Sequence, residues 1–373
     1  MERATAIAGA GDWGAGTFTA NLELLVESCR ASAALNPLGQ KVLRSVVVRH
    51  LVNRLSLQAY LSGHPGIAAR DLGAPIVVTG LPRTGTTMVH NLLSLDPGHR
   101  VLRFWEALHP VPPDPARRES RAELVRQATK WLDKLYEMVP AFRSIHGATA
   151  TGPEECDALL QNEFASQHFD DMFNAPAYSQ WLATAALERE YRSYAMQLRM
   201  LTQPGAPRWV LKSPSHLGHL EAMLAVCPRA TIVHCHRHPG DAVPSYASLI
   251  LNLRRAYSNR TSAALIGRQA LQRCEVALGR ALEARRRHPE RFVDVAYPQL
   301  VREPIATLRG LYERLGRRLP PRTEPAMRRW LAEHPQNEHG VHRYRSERFG
   351  LSPEEISAAL GAYLDQFALT LAG

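Results

Sequence analysis

The sequence predicts an α/β protein: a central parallel sheet flanked by helices, with extra helices at the N-terminus and in mid-chain. Three observations predict it. Short apolar, β-branched runs recur at Ile76–Val78, Trp209–Lys212, Thr231–His236 and Phe292–Val295. Runs of this length and composition suit strands buried on both faces. Helical patterns separate them, and that alternation implies crossover connections and parallel pairing. The first run is followed at once by a glycine-bearing turn and a helix start, GLPRTGTT at 80–87. The chain's 373 residues exceed the size at which a single core usually stops growing, so one large unit with helical additions, or two subdomains, is expected.

Taken in order, residues 1–17 are rich in Gly and Ala and are expected to be extended or loosely ordered. From Phe18 to about Leu61 the pattern is helical in two pieces, broken at Asn36-Pro37-Leu38-Gly39. Leu22, Leu25, Val26 and Cys29 on the first piece, and Val47, Leu51, Leu55 and Leu61 on the second, fall at helical spacing as core-facing stripes. Thr87–Leu95 follows the turn as a helix. HPVPPDP at 109–115 cannot be regular structure. Residues 116–139, 154–168 and 177–201 again carry helical periodicity. The expected organisation is a helical extension over 1–70 and a main domain over 71–373, with a helical insert at 110–200.

Apolar residues make up 45% and charged residues 21% of the chain, as in ordinary soluble globular proteins. The formal net charge of +10 favours anionic partners, or else an Arg-rich solvated surface. No block of five or six like charges and no nucleic-acid fingerprint occurs, which argues against nucleic acid. Five scattered cysteines without a C-x-x-C pattern suit reduced thiols in a cytoplasm. No apolar run approaches the roughly 18 residues of a membrane span, and the N-terminus lacks the apolar core of a signal peptide.

GLPRTGTT is one letter from a Walker A loop. Gly80, Gly85 and Thr87 stand where that motif needs them, but Thr86 replaces its lysine. A strand, a glycine turn and a helix start make an anion site from backbone N–H groups and the helix dipole. Thr86 and Thr87 add hydroxyl donors, and Arg83 adds a charge that can fork onto two oxygens. Transfer of a γ-phosphoryl group normally uses the lysine and a Mg²⁺ held by an acidic residue, and no later strand ends in such an Asp. A sulfuryl group carries less charge, and positioned cations and N–H groups can serve its transfer without a metal. A phosphoryl-transferring kinase or NTPase, and a non-catalytic nucleotide-binding module, are the alternatives.

LPRTGTT followed by a helix resembles the 5′-phosphosulfate loop of sulfotransferases that use 3′-phosphoadenosine 5′-phosphosulfate (PAPS). IVHCHRHPGDAVPSYASL at 232–249 resembles the same family's second element, a strand, an Arg and a Ser, with Arg237 and Ser245 eight residues apart. The likeness is to the bacterial group related to the tyrosylprotein sulfotransferases, and it includes WVLKSP at 209–214, FVDVAYPQL at 292–300 and HPQNEHGVHRY at 334–344. It implies a P-loop-like sheet, PAPS as donor and no metal; the acceptor is expected to be a hydroxyl, or less favourably an amine, of a small molecule that the resemblance does not name. By the same resemblance, Arg83, Thr84, Gly85, Thr86 and Thr87 hold the 5′-phosphosulfate, and Arg237 and Ser245 hold the 3′-phosphate. Tyr297 matches a tyrosine near the adenine. His339, Gly340, Arg343 and Tyr344 match a basic loop that closes over the donor. Lys212 matches a lysine between donor and acceptor, which neutralises the bridging oxygen. Glu106, beside Phe104 and Trp105, matches the general base. His90, His109 and His146 are weaker candidates for that role. Glu154 and Glu155 follow a Gly-Pro turn, where they complement a helix dipole or bind acceptor. His234, His236 and His238 share one face of a strand. A metal reading of them lacks a carboxylate or cysteine at ligand spacing.

Overall fold

A computed structural model describes residues 1–14, 16, 18–113, 120–139, 147–203, 205–335 and 345–369. Among these, five strands form one parallel sheet: β1 (Ile76–Gly80), β2 (His99–Arg100), β3 (Arg208–Lys212), β4 (Thr231–His236) and β5 (Phe292–Ala296). Their order is β2-β3-β1-β4-β5. Four are the runs expected from sequence. The fifth, β2, has two residues and is too short to leave a pattern. β1 is buried along its whole length because β3 and β4 flank it on either side, which is why its residues are uniformly apolar before the glycine turn.

The chain divides into two compact units. One comprises Gly73–Val101, Pro207–Leu251 and Ser262–Gly373 and contains the sheet. Ile76, Val78, Val210, Val233 and Val295 from the strands form its core with Leu308 and Leu311 of the helix Pro304–Arg314. The helix Thr86–Ser94 adds Val89, Leu92 and Leu93, one apolar face at three- and four-residue spacing. It starts one residue earlier than expected.

The other unit comprises Met1–Leu72, Leu102–Ala206 and Asn252–Thr261 and is helical. Its N-terminus corrects the expectation of extended chain: Glu2–Ala8 is a helix, closed by Gly9 in the left-handed region at φ 64°. The Asn-Pro-Leu-Gly break works as a cap. The Asn36 side chain accepts the Gly39 N–H at 2.7 Å, and Pro37 opens the helix Pro37–Gly63. The expected helix at 154–168 is two short ones, Asp157–Gln161 and Gln167–Phe173, the second capped by Ser166. The helix expected at 177–201 is likewise split, into Pro176–Thr184 and Glu188–Leu201.

Leu25, Cys29, Leu51 and Leu55 are buried, as their spacing implied. Polar side chains are buried in the same unit. Arg54 Nη1 and Ser193 Oγ each lie 2.5 Å from Glu163 Oε1. Asn162 joins Asn53 at 3.2 Å to Gln197 at 2.9 Å. Arg254 Nη2 meets Asp170 Oδ1 at 3.2 Å, both almost fully buried. These groups satisfy one another, as buried polar groups must. None of the described helices is long and apolar enough to cross a membrane.

Candidate active site

The site is built at the carboxyl ends of β1, β3, β4 and β5, where chain direction about β1 switches from the β3 side to the β4 side. Open parallel sheets generally bind ligands at such a point. β1 ends on Gly80, at φ 150°. A Cβ there would collide with the Cys235 carbonyl oxygen of β4 and stand 2.8 Å from Thr84 Oγ1. Only glycine allows this approach. The turn then passes through Arg83 at φ 73° and Gly85 at φ 88°, the latter serving as N-cap of the helix Thr86–Ser94. A Cβ on Gly85 would lie 2.9 Å from carbons of both Tyr297 and Leu300. Thr84 is fully buried, and its hydroxyl donates to the Leu81 carbonyl at 2.7 Å. That hydroxyl shapes the turn from within, so any contact Thr84 makes with a ligand falls to its backbone.

Two further strands deliver cations to this turn. Lys212 ends β3, is 2% exposed, and its Nζ lies 3.3 Å from Thr87 Oγ1. The adjoining Ser213 carbonyl accepts from Thr79 Oγ1 of β1 at 2.9 Å, which fixes the backbone beside the lysine. Arg237 follows β4. Its Nη1 donates to the Arg83 carbonyl at 3.1 Å, and its guanidinium lies 4.5 Å from the Tyr297 ring centre. Arg83 Nε in turn donates to Ser245 Oγ at 3.2 Å, on the helix Pro239–Tyr257. Arg83, Gly85, Arg237, Ser245 and Tyr297 therefore form one contiguous group, and Thr87 with Lys212 forms its other edge. Three cations, a helix N-terminus and hydroxyl donors suit an extended anion with charge at both ends.

One carboxylate belongs to this group and was not anticipated. Asp241 lies 3.8 Å from Arg237 Nε, one helical turn after it, where an acidic residue also favours the helix start. Its place in HRHPGD was a usable signal.

Glu106 is 6% exposed and lies in the short helix Phe104–Leu108 of the helical unit. Its Oε2 accepts the Arg103 backbone N–H at 2.9 Å, so the carboxylate caps its own helix. Glu154 and Glu155 precede the helix start at Asp157 and do not occupy the first turn expected for them. His90 is buried in the loop helix. His146, His339, Gly340, Arg343 and Tyr344 lie outside the described residues. The histidine pair of β4 has a carboxylate neighbour that the sequence reading missed: His234, His236 and Asp294 each offer a ligand atom within 4.8 Å of the others. Asp294 comes from a different strand, so no local spacing reveals it. Its oxygens already accept from His236 Nε2 and Arg285. A cation there would displace that proton and face the guanidinium, which disfavours a metal site.

A parallel α/β sheet whose glycine turn keeps Walker spacing without the lysine, with Lys212 and Arg237 delivered beside Arg83, defines a P-loop-like α/β protein with an anion-binding turn. The chain belongs to the sulfotransferase family: the family's sequence profile matches residues 75–321, a range that includes Arg83, Gly85, Lys212, Arg237, Ser245 and Tyr297. Among solved structures, sulfotransferase STF9 from Mycobacterium avium is 30% identical, with a TM-score of 0.86 over 100% of this chain and 96% of that one. Sulfotransferase STF1 from Mycobacterium tuberculosis is 28% identical, with a TM-score of 0.81 over 97% of each chain. The omega-hydroxy-beta-dihydromenaquinone-9 sulfotransferase Stf3 of Mycobacterium bovis is 25% identical over 311 residues, 79% of this chain and 74% of its own length.

Proposed function

We propose that this sulfotransferase moves a sulfuryl group from PAPS to the hydroxyl of a small-molecule acceptor. The observation that carries this reading is the contiguous group of Arg83, Gly85, Arg237, Ser245 and Tyr297 around a turn lacking the Walker lysine. Its donor set fits an adenosine nucleotide with a 3′-phosphate at one end and a 5′-phosphosulfate at the other. Arg237 and Ser245 take the 3′-phosphate. The turn's N–H groups, Arg83 and the Thr86 and Thr87 hydroxyls take the phosphosulfate, and Tyr297 faces the adenine. Arg343 and Tyr344 complete the donor grip.

In the transfer, the acceptor oxygen bonds to sulfur as the bond from sulfur to the 5′-phosphate oxygen breaks. Lys212 stabilises the negative charge that grows on that leaving oxygen. Glu106 takes the acceptor proton, and 3′-phosphoadenosine 5′-phosphate (PAP) departs. The residues need no metal for this. The helices of 110–200 supply acceptor recognition. The Mycobacterium bovis relative's name specifies an omega-hydroxylated acceptor, which supports a hydroxyl over an amine. The five cysteines, all buried free thiols, suit the cytoplasm.

Thermal-shift titration tests the donor. PAP without Mg²⁺ should raise the melting temperature, and ATP with Mg²⁺ should not. The opposite pattern would indicate a phosphoryl-transfer enzyme. A screen of alcohols, phenols, sugars and lipids with labelled PAPS then identifies the acceptor. Donor binding with no transfer to any of them would favour a non-catalytic nucleotide-binding module.

A further inference from the structure

A chain of hydrogen bonds joins the C-terminal helix Gly361–Phe367 to the end of β4, beside Arg237. The Tyr363 hydroxyl lies 2.9 Å from His236 Nδ1, and the Arg237 backbone N–H is within reach of the phenol oxygen, where it favours the ionised form. Across the imidazole, His236 Nε2 is 2.8 Å from Asp294 Oδ1. Arg285 donates to both oxygens of that carboxylate. Burial favours a neutral His236 imidazole, and for that form only one polarity satisfies every member. The carboxylate is an acceptor, so Nε2 carries the proton and Nδ1 accepts. The Tyr363 O–H must then donate to Nδ1, which leaves its lone pair for the Arg237 N–H. The chain fixes both the His236 tautomer and the phenol rotor.

Packing holds the same atoms. His236 and Tyr363 are 3% and 1% exposed. Their rings stack with centres 5.7 Å apart, and Phe367 covers His236 with centres 4.0 Å apart. Beyond this anchored N–H, the Arg237 guanidinium has three neighbours to satisfy: the Arg83 carbonyl, the Tyr297 ring and Asp241. Its aim at a phosphate follows from where its backbone is held, and small displacements of such groups weaken binding strongly.

We propose that Tyr363 and His236 are positioning residues for Arg237, and that through them the C-terminal helix sets this enzyme's preference for a 3′-phosphorylated nucleotide. The proposal rests on the reading of Arg237 as the 3′-phosphate ligand. It separates two effects: a lost anchor weakens recognition of the 3′-phosphate alone, whereas general loosening weakens binding of any adenosine nucleotide.

Calorimetric titration of the full chain with PAP and with adenosine 5′-phosphate (AMP), which lacks the 3′-phosphate, tests it. Wild type should favour PAP, and Arg237→Ala should erase the preference. Tyr363→Phe should cut it about tenfold, the scale of one buried hydrogen bond, and leave AMP affinity unchanged. Asp294→Asn breaks the chain at its far end, where the side chain is 40% exposed, and should act in the same direction with little risk to folding. If Tyr363→Phe and Asp294→Asn keep the wild-type preference while Arg237→Ala loses it, the positioning role is wrong and the Arg237 reading stands. Equal loss of PAP and AMP binding also overturns the positioning role. If wild type shows no preference, or Arg237→Ala retains it, the reading of Arg237 falls and this inference falls with it.

Discussion

Lys212 is a buried lysine whose Nζ lies 3.3 Å from the Thr87 hydroxyl at the edge of the glycine turn, a place suited to charge that appears during reaction. Lys212→Met should therefore lower kcat about 10²- to 10³-fold and change donor affinity little. Parallel losses in kcat and PAP affinity would mean that the lysine binds the ground state instead. Glu106 makes a sharper case, because its carboxylate already caps a helix. Glu106→Gln keeps an oxygen acceptor for the Arg103 N–H and removes only basicity. It should leave the melting temperature unchanged and reduce kcat about 10²- to 10⁴-fold. Near-normal turnover would exclude Glu106 as the base. At this scale the sequence was most legible where the grouping is local. Arg83, Gly85, Arg237 and Ser245, which the fold brings together, lie in two short segments. Asp294 and Tyr363 were not legible in this way, because their partners lie 58 and 127 positions away along the chain.

On the proposed reading, the glycine turn is the element on which the donor site depends. Gly85→Ala combines an unfavourable left-handed φ with contacts at 2.9 Å to Tyr297 and Leu300. It should abolish PAP-induced stabilisation at millimolar ligand, and retention of that shift would show that the turn tolerates the strain. The helix Pro239–Tyr257 carries Ser245 in its second turn, and Arg254 near its end is buried against Asp170. Arg254→Ala removes the cation beside that buried carboxylate, so chemical denaturation should show a loss of about 3 to 5 kcal/mol. A loss under about 1 kcal/mol would mean that the pair is relieved by local opening. Element legibility followed length and regularity. The apolar strands and the long N-terminal helices left clear periods. Residues 154–168 and 177–201 left helical periods but not their breaks, because Ser166 starts a new helix and Leu187 adopts φ 53°, turns that side-chain periodicity does not report.

Across the whole molecule, buried neutral histidines set the acid limit of stability. Burial pushes His216 and His219 from the ordinary value of 6.5 down to about 3. Burial, with His236 and Arg285 nearby, lowers His234 as well. The folded values lie below the unfolded ones. Below pH 6.5 the unfolded chain thus binds protons that the folded chain refuses, and stability falls as pH falls toward 3. His216 and His219 each contribute a slope of roughly 1.4 kcal/mol per pH unit in that window. Denaturation midpoints that stay level between pH 6.5 and 4.5 would contradict this, and His216→Asn should flatten the slope. Such histidines lie in sequence like any others, and only the fold reveals their burial. The contact between Arg83 and Ser245 also bears on ligand binding. The serine oxygen accepts from Arg83 and keeps its own O–H to donate. On the proposed reading, a phosphate that takes that O–H polarises the hydroxyl and alters its hold on the guanidinium. Occupancy at the two ends of the nucleotide would then be linked, each end altering the other by the same factor.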